Sequence, residues 1–248
     1  MAARVGRLDE QADAVLALEP DVVALQEVTR TTTARWTERL TAAGLHPLAG
    51  PVPADGRRLG VVLAARTPPT PAGAPPIPWP ERAVAMTVEL DGRPVRVLNL
   101  HSPISQRPGR VKVRTLRAAH AWLADGDEPT VLLGDLNTPR REHVDGSAWS
   151  FARTSGGALR PERGEDWEAA ELGVMVQRLG AHGYVDAFRA VHGYGRKEVS
   201  WAWAHGGGWR LDHCLVRGAR DVRLCEYVHE VRRAGLSDHS ALVADVAF

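Results

Sequence analysis

The feature that most constrains this chain is a repeated pairing: a short run rich in Val, Ala and Leu that stops at a carboxylate, amide or imidazole. Val22-Val23-Ala24-Leu25 gives way to Gln26-Glu27, Val97-Leu98-Asn99-Leu100 to His101, and Val131-Leu132-Leu133-Gly134 to Asp135-Leu136-Asn137. Apolar runs of this length, bounded by turn residues, read as buried strands. Polar groups just past their ends project into a shared cleft instead of the core, which is where a mixed scaffold carries an active site. The chain closes in the same way, with Trp209-Arg210-Leu211-Asp212-His213 followed one hairpin later by Ser237-Asp238-His239.

Between the strands the apolar period changes. Residues 8–18 and 31–43 have helical spacing and stop at Pro20 and Gly44. Strands are expected at 21–28 and 59–65, and the proline-rich stretch 67–80 is expected to be a surface loop. Residues 86–90 and 95–100 flank Asp91-Gly92, a strong hairpin signal. A helix over 110–123 should lead into a strand at 130–134. The polar, Gly- and Arg-rich stretch 139–166 is long enough to be a substrate-facing loop or a mobile excursion. A helix over 167–179 and short strands at 184–188, 199–204, 210–216, 222–231 and 241–248 complete the pattern. Strands mixed with helices, closing on an antiparallel run, predict an α/β fold in which two mixed, mainly antiparallel sheets pack face to face with helices outside. With 248 residues, 44% of them hydrophobic, and no composition shift or internal repeat, the whole chain 1–248 is expected to be one domain.

Composition narrows the setting. Two cysteines, Cys214 and Cys225, suit a reducing cytoplasm and read as small buried hydrophobes. No apolar stretch approaches the ~20 residues of a membrane span, and a monomer is expected. A formal net charge of +1 gives no strong global field, so attraction for phosphate must be local. The candidates are Arg107, Arg110, Lys112, Arg114 and Arg117 after His101, joined by Arg140 and Arg141 after Asn137. The alternative is that Arg110, Arg114 and Arg117, at i, i+4, i+7, are one solvated helix face.

Each polar cluster has a chemistry. Glu27 is a hard oxygen donor suited to Mg²⁺ or Mn²⁺. Asp135 and Asn137 alternate about Leu136, so an extended backbone puts both on one face, where a carboxylate can orient water and an amide can donate to a phosphoryl oxygen. Asp212 and His239 form a candidate dyad in which the carboxylate fixes the tautomer and raises the imidazole pKa. Asp238 is a metal ligand or a water-orienting group, and His101 a second acid or donor to a phosphate oxygen.

Together these motifs resemble the endonuclease/exonuclease/phosphatase superfamily, over about residues 8–246. Gly183-Tyr184-Val185-Asp186-Ala187-Phe188-Arg189, Ser200-Trp201 and Gly208-Trp209-Arg210-Leu211-Asp212 are similar to its exonuclease III branch. The resemblance implies a four-layer α/β sandwich and a divalent metal, Mg²⁺ or Mn²⁺, at Glu27 with Asp238. It implies hydrolysis through His101, Asp135, Asn137, Asp212, Asp238 and His239. Substrate contacts are then expected from Arg107, Arg110, Arg140, Trp201, Trp209, Arg210 and Leu211, with Trp209 and Leu211 matching a pocket for a flipped-out abasic sugar.

Three departures shape the expectation. The abasic endonucleases carry tyrosine where this chain has His101, which resembles the deoxyribonuclease I and phosphatase branches instead. Val199 stands where an aromatic would complete the abasic-sugar pocket. Family members open on a buried strand ending in a metal-site asparagine. Here the first helix follows Met1–Arg7 directly, and the two asparagines, Asn99 and Asn137, belong to other motifs. The expected activity is metal-dependent hydrolysis of phosphodiester bonds, foremost by a nuclease. A phosphatase or phosphodiesterase of a small ester or lipid headgroup, and a non-catalytic phosphate-binding module, are the alternatives. The sequence leaves the general base open between Asp135 and Asp238.

Overall fold

The computed structural model describes residues 2–51, 59–105 and 110–248. In chain order come α1 (Leu8–Leu16), β1 (Val22–Val28), α2 (Arg30–Ala42), β2 (His46–Ala49), β3 (Gly60–Ala65) and β4 (Thr70–Ala72). There follow β5 (Ala83–Leu90), β6 (Arg93–Leu100), α3 (Val111–Ala124), β7 (Thr130–Asp135), β8 (Arg141–Glu142), β9 (Ala148–Trp149), α4 (Gly164–Gly173) and α5 (Val176–Leu179). The chain ends with β10 (Tyr184–Asp186), α6 (Ala187–His192), β11 (Trp201–Ala202), β12 (Gly208–Trp209), β13 (Asp212–Arg217), β14 (Asp221–Val228), α7 (His229–Arg233) and β15 (Ala241–Ala247).

The expected sandwich is present. One sheet has six strands in the order β10-β13-β7-β6-β5-β4, antiparallel except for the parallel pair β6/β7. Facing it lie a three-stranded sheet, β1-β3-β2, and the separate hairpin β14-β15. Strand alternation builds the layers. In β5 and β6, Val84, Met86, Val95 and Val97 enter the core between the sheets with Leu63 of β3 and Tyr227 of β14. The intervening Ala85, Leu98 and Leu100 pack against Val113 and Leu116 of α3 and Trp167 of α4. On the far side, Val23 and Leu25 of β1 meet Leu8 and Ala12 of α1 and Trp36 and Leu40 of α2. Two helix layers therefore enclose two sheet layers. Cys214 and Cys225 are free and buried in the core between the sheets, and burial pushes the Cys225 thiol up to about 12. Among the described residues no helix is long and apolar enough to cross a membrane.

Several local expectations change. The proline-rich segment contributes β4, an edge strand whose Pro71 pairs opposite Met86, a position where a missing N–H is tolerated. The stretch 139–166 is not one open loop, because β8 and β9 pair within it and α4 begins at Gly164. The strand expected at 184–188 stops at Asp186, whose carboxylate accepts from Arg189 N and caps α6. The run 222–231 likewise turns into α7 at His229.

Candidate active site

The six-stranded sheet delivers its polar groups to one end. Because β6 and β7 are parallel, His101 and Asp135 emerge together, and antiparallel β13 starts beside them at Asp212. Asp135 and Asp212 are direct register partners. Opposed like charges are destabilising on a sheet, so this pairing needs compensation. Gly134 makes the approach possible: at φ +140 it lies so close to the Leu100 carbonyl that a Cβ would come within 2.0 Å of the oxygen.

The facing layer supplies the other groups. Glu27 sits at φ +59 where the β1/β3 register breaks between Leu25 and Val28. Behind it Asn99, fully buried on β6, donates to the carbonyls of Leu25 (3.0 Å) and Val62 (2.8 Å) and accepts from Gln26. That amide ties the two sheets together next to Glu27. His239 arrives on the segment before β15 and bridges to Trp201. Glu27, Asp135, Asp212 and His239 line one cavity of about 800 Å³ that runs from this end back between β1 and β15.

The expected dyad is formed, with His239 Nδ1 donating to Asp212 Oδ2 at 2.7 Å. Burial alone would lower the imidazole pKa, but the Asp212 charge and hydrogen bond, helped by Asp135 and Asp238, lift it to about 10. Burial would raise the Asp212 carboxyl, and His239 outweighs it and holds the group below its usual range. The Tyr227 hydroxyl donates to the Asp212 carbonyl, and Ser200 Oγ accepts from Leu211 N and Asp212 N. Sequence reading singled out neither as a support of the dyad, although Ser200 lay within a quoted motif.

Asp135 behaves differently from its partner. Burial, then the charges of Asp212 and Glu27, raise its carboxyl to about 7 against the opposing pull of His239 and the Asn137 N–H. Asn137 N donates to Asp135 Oδ1 (2.9 Å), while Nδ2 donates to Asp135 Oδ2 (3.0 Å) and to the Ser102 carbonyl (2.8 Å). The two side chains meet as expected, but Asn137 does so from a left-handed backbone, φ +51, and with both amide hydrogens engaged inside the protein. His101 is buried, its Nε2 3.6 Å from Asp135 Oδ2. Burial, then the Arg82 and His239 charges, push it well below the usual histidine range, which favours the neutral ring. Asp238 is exposed and outside the cavity wall, though its charge is felt at His239.

The substrate-contact candidates divide. Trp201 and Trp209 stack, with centroids 5.3 Å apart at 10°, and Trp209 meets Phe151 edge-on at 5.0 Å. Leu211 is buried beside them, its carbonyl accepting from Leu136 N. Arg140 lies 5.9 Å over the Phe151 ring, and its pKa is lowered by burial and by Arg160, Arg141 and Arg163. Arg210, expected among the contacts, instead has its guanidinium buried between Glu142 (2.7 Å) and Asp186 (2.6 Å). Arg110 pairs with Asp166, which also takes Arg117, both at 2.8 Å. Lys112 is not a surface cation at all, being fully buried against Glu171. Arg107 lies outside the described residues.

The sequence matches the Endonuclease/Exonuclease/phosphatase family over residues 2–239. The chain belongs to that family. Members of the family are typically dependent on a divalent metal, and a phosphoesterase hydrolase is the activity the membership supports. Among solved structures, an AP endonuclease from Archaeoglobus fulgidus is 19% identical at a TM-score of 0.69, covering 98% of this chain and 95% of its own. AP endonuclease LMAP from Leishmania major is 16% identical at 0.69, covering 98% and 84%. A humanized D. rerio TDP2 is 14% identical at 0.68, covering 100% and 95%. These likenesses are of fold. Among curated proteins no sequence matches this chain.

Proposed function

We propose that this family member is a monomeric, divalent-metal-dependent phosphodiesterase acting on nucleic acid. The observation that carries the reading is the charged Asp212–His239 pair set beside a second carboxylate, Asp135, whose ionisation falls near neutrality. The donor set suits a hard cation. Glu27, Asp135 and Asp212 all line the cavity beside His239, a set of hard oxygen donors that suits Mg²⁺ or Mn²⁺. Among the described residues no group of three or more His, Cys, Asp or Glu side chains is gathered to hold a metal ion, so an ion here would rest on one or two carboxylates and be completed by water and substrate. Glu27 would hold it; Asp238, the other ligand expected from the sequence, is exposed and outside the cavity that Glu27 lines. When bound, the ion supplies charge neutralisation at a phosphoryl oxygen.

The protein's own groups supply the rest. His239, kept protonated by Asp212, presents its second ring nitrogen as a donor where negative charge develops. Asp135, near neutrality, is matched to accept a proton from the attacking water, and the Asn137 amide fixes its orientation. His101 lies behind it, Nε2 3.6 Å from the Asp135 carboxylate. Trp201, Trp209 and Leu211 form an apolar wall for a base or sugar, and Arg140 is placed for a neighbouring phosphate. The alternative, a small phosphoester substrate, draws support from Arg110 and Arg117 being spent on Asp166, which shrinks the cationic surface.

The test is a panel of plasmid, abasic duplex, single strand and a generic phosphodiester, with Mg²⁺, Mn²⁺ or EDTA. Hydrolysis should require metal, and Glu27→Gln should weaken metal affinity before substrate binding. Cleavage of nucleic acid should also fall steeply with salt. Full activity in EDTA, or an unchanged metal titration in Glu27→Gln, defeats the metal assignment. Salt-insensitive turnover of small esters alone selects the alternative.

A further inference from the structure

Beneath the Asp135–Asn137 segment lies an ion pair that no step above uses. Lys112, near the start of α3, and Glu171, on α4, have no exposed side-chain surface, and Nζ lies 2.8 Å from Glu171 Oε1. The ammonium also donates to the Asn137 carbonyl at 2.6 Å and to Ser105 Oγ at 3.1 Å, which matches three donors with three acceptors. Glu171 is equally committed, accepting from Phe151 N (2.6 Å), Trp167 Nε1 (2.8 Å), Ser105 Oγ (3.0 Å) and Thr138 Oγ1 (3.2 Å). The pair thus joins two outer helices to the loops that follow β6 and β7.

A buried ion pair is a poor way to gain stability, because desolvation offsets most of its attraction and apolar replacements are often as stable. Its contacts indicate what it does instead. Asn137 holds a left-handed backbone, a conformation that asparagine tolerates better than other residues with a side chain. Its N–H and amide are fixed by Asp135 and Ser102, and its carbonyl is fixed by Lys112.

We propose that Lys112 and Glu171 are positioning residues for the reaction centre: the ammonium clamps the Asn137 carbonyl, which sets the amide that orients the Asp135 carboxylate. The catalytic consequence rests on Asp135 being the general base; the positioning itself does not.

The chain contains two asparagines, so selective ¹⁵N-asparagine labelling gives two pairs of side-chain amide signals, one pair per residue, assignable with Asn137→Ser. Lys112→Met leaves a buried carboxylate unpaired and risks the fold, so the decisive variant is Lys112→Met/Glu171→Gln, neutral and of similar volume. In metal-free protein it should melt close to wild type, leave the Asn99 signal in place, and shift or broaden the Asn137 signal. If wild type hydrolyses a phosphodiester, kcat in the double variant should drop roughly 10- to 100-fold with KM little changed. Adding Asn137→Ala to it should then cost nothing further. A folded variant whose Asn137 signal does not move overturns the proposal. So does a kcat loss that adds to that of Asn137→Ala, which marks a merely structural role. Should wild type hydrolyse nothing, the functional reading fails while the amide spectrum still decides the positioning.

Discussion

The two sheet layers face each other across one core, yet they are built differently. The six-stranded sheet is hydrogen-bonded without a break from β10 to β4. The opposite layer is in two pieces, and among the described residues no strand lies between β1 and β15. Residues 22–27 and 241–246 instead form two walls of the cavity of about 800 Å³, floored by Val97, Val131, Leu133 and Cys214 of the continuous sheet. Asp135 and Asp212 therefore stand on paired backbone of the continuous sheet, with His101 just past the end of the neighbouring strand, whereas Glu27 stands on a strand with one free edge and His239 just ahead of another. The contrast lies in how the groups are brought together: one layer supplies Asp135 and Asp212, and the other brings the His239 ring and the Glu27 carboxylate to them through side-chain bonds, Asn99 to Leu25 and His239 to Asp212.

The largest effect should come from cutting the bond that joins the two layers at the site. Asp212→Asn or His239→Ala should each lower turnover by about 10²–10⁴, equivalent to about 2.7–5.4 kcal/mol of transition-state stabilisation. The double variant should be scarcely worse than either, and additive losses in the cycle would refute a joint role. The same bond should appear in stability measured in EDTA. The His239 pKa is raised in the fold from an ordinary 6.5 to about 10. Its contribution is therefore fully present below pH 6.5 and disappears as the pH rises through about 10. Wild type should lose its advantage over Asp212→Asn across that window in urea titrations, and a difference that grows with pH would contradict the assignment.

A smaller effect should distinguish the layers by packing. Leu98 is fully buried between the continuous sheet and α3, so Leu98→Ala should cost about 2–5 kcal/mol. Leu133 lies one strand away but faces the cavity and is only partly buried, so Leu133→Ala should cost under about 1 kcal/mol. Denaturant midpoints at unchanged m-value give both numbers, and equal costs would mean that the space behind Leu133 is filled.

These differences bear on what the sequence could reveal. The strands that carry Glu27, His101, Asp135 and Asp212 were legible, because the apolar runs that end at the first three and the run that follows Asp212 obey a local period. The dyad was legible for the same reason. What was hidden depends on partners distant in sequence. Arg210 sits between Trp209 and Leu211 and reads as part of their surface, but Glu142 and Asp186 claim it. Lys112 reads as one cation in a basic stretch until Glu171 arrives from α4. The helical turns after Asp186 and Val228 were missed because a capping carboxylate and a helix of five residues leave little periodic signal.

The smallest effect, and the sharpest test of the contrast, is to supply the gap with a strand. The start of α1 is held at the end of the sheets where Asp212 and His239 meet: Arg7 donates to the Ala234 carbonyl and Gln11 to that of Leu236, just ahead of Ser237. β1 also ends there. A strand joined ahead of α1 and running toward that end would therefore be parallel to β1 through a helical crossover and antiparallel to β15. About six residues, at ~3.3 Å each, match the length of the walls. Apolar side chains at alternate positions would cover Leu133 and Val131 at ~25 cal/mol per Å² buried, and the backbone would pair with both free edges. Ordering each residue costs about 1.5 kcal/mol, so the net gain should be only a few kcal/mol, a rise in Tm of roughly 2–8 °C. The informative measurement is the repeated Leu133→Ala substitution, whose cost should climb into the 2–5 kcal/mol range of a closed core and match Leu98→Ala. If Tm does not move and Leu133→Ala stays cheap, the two edges do not accept a strand, and the split belongs to the working architecture of the opposite layer.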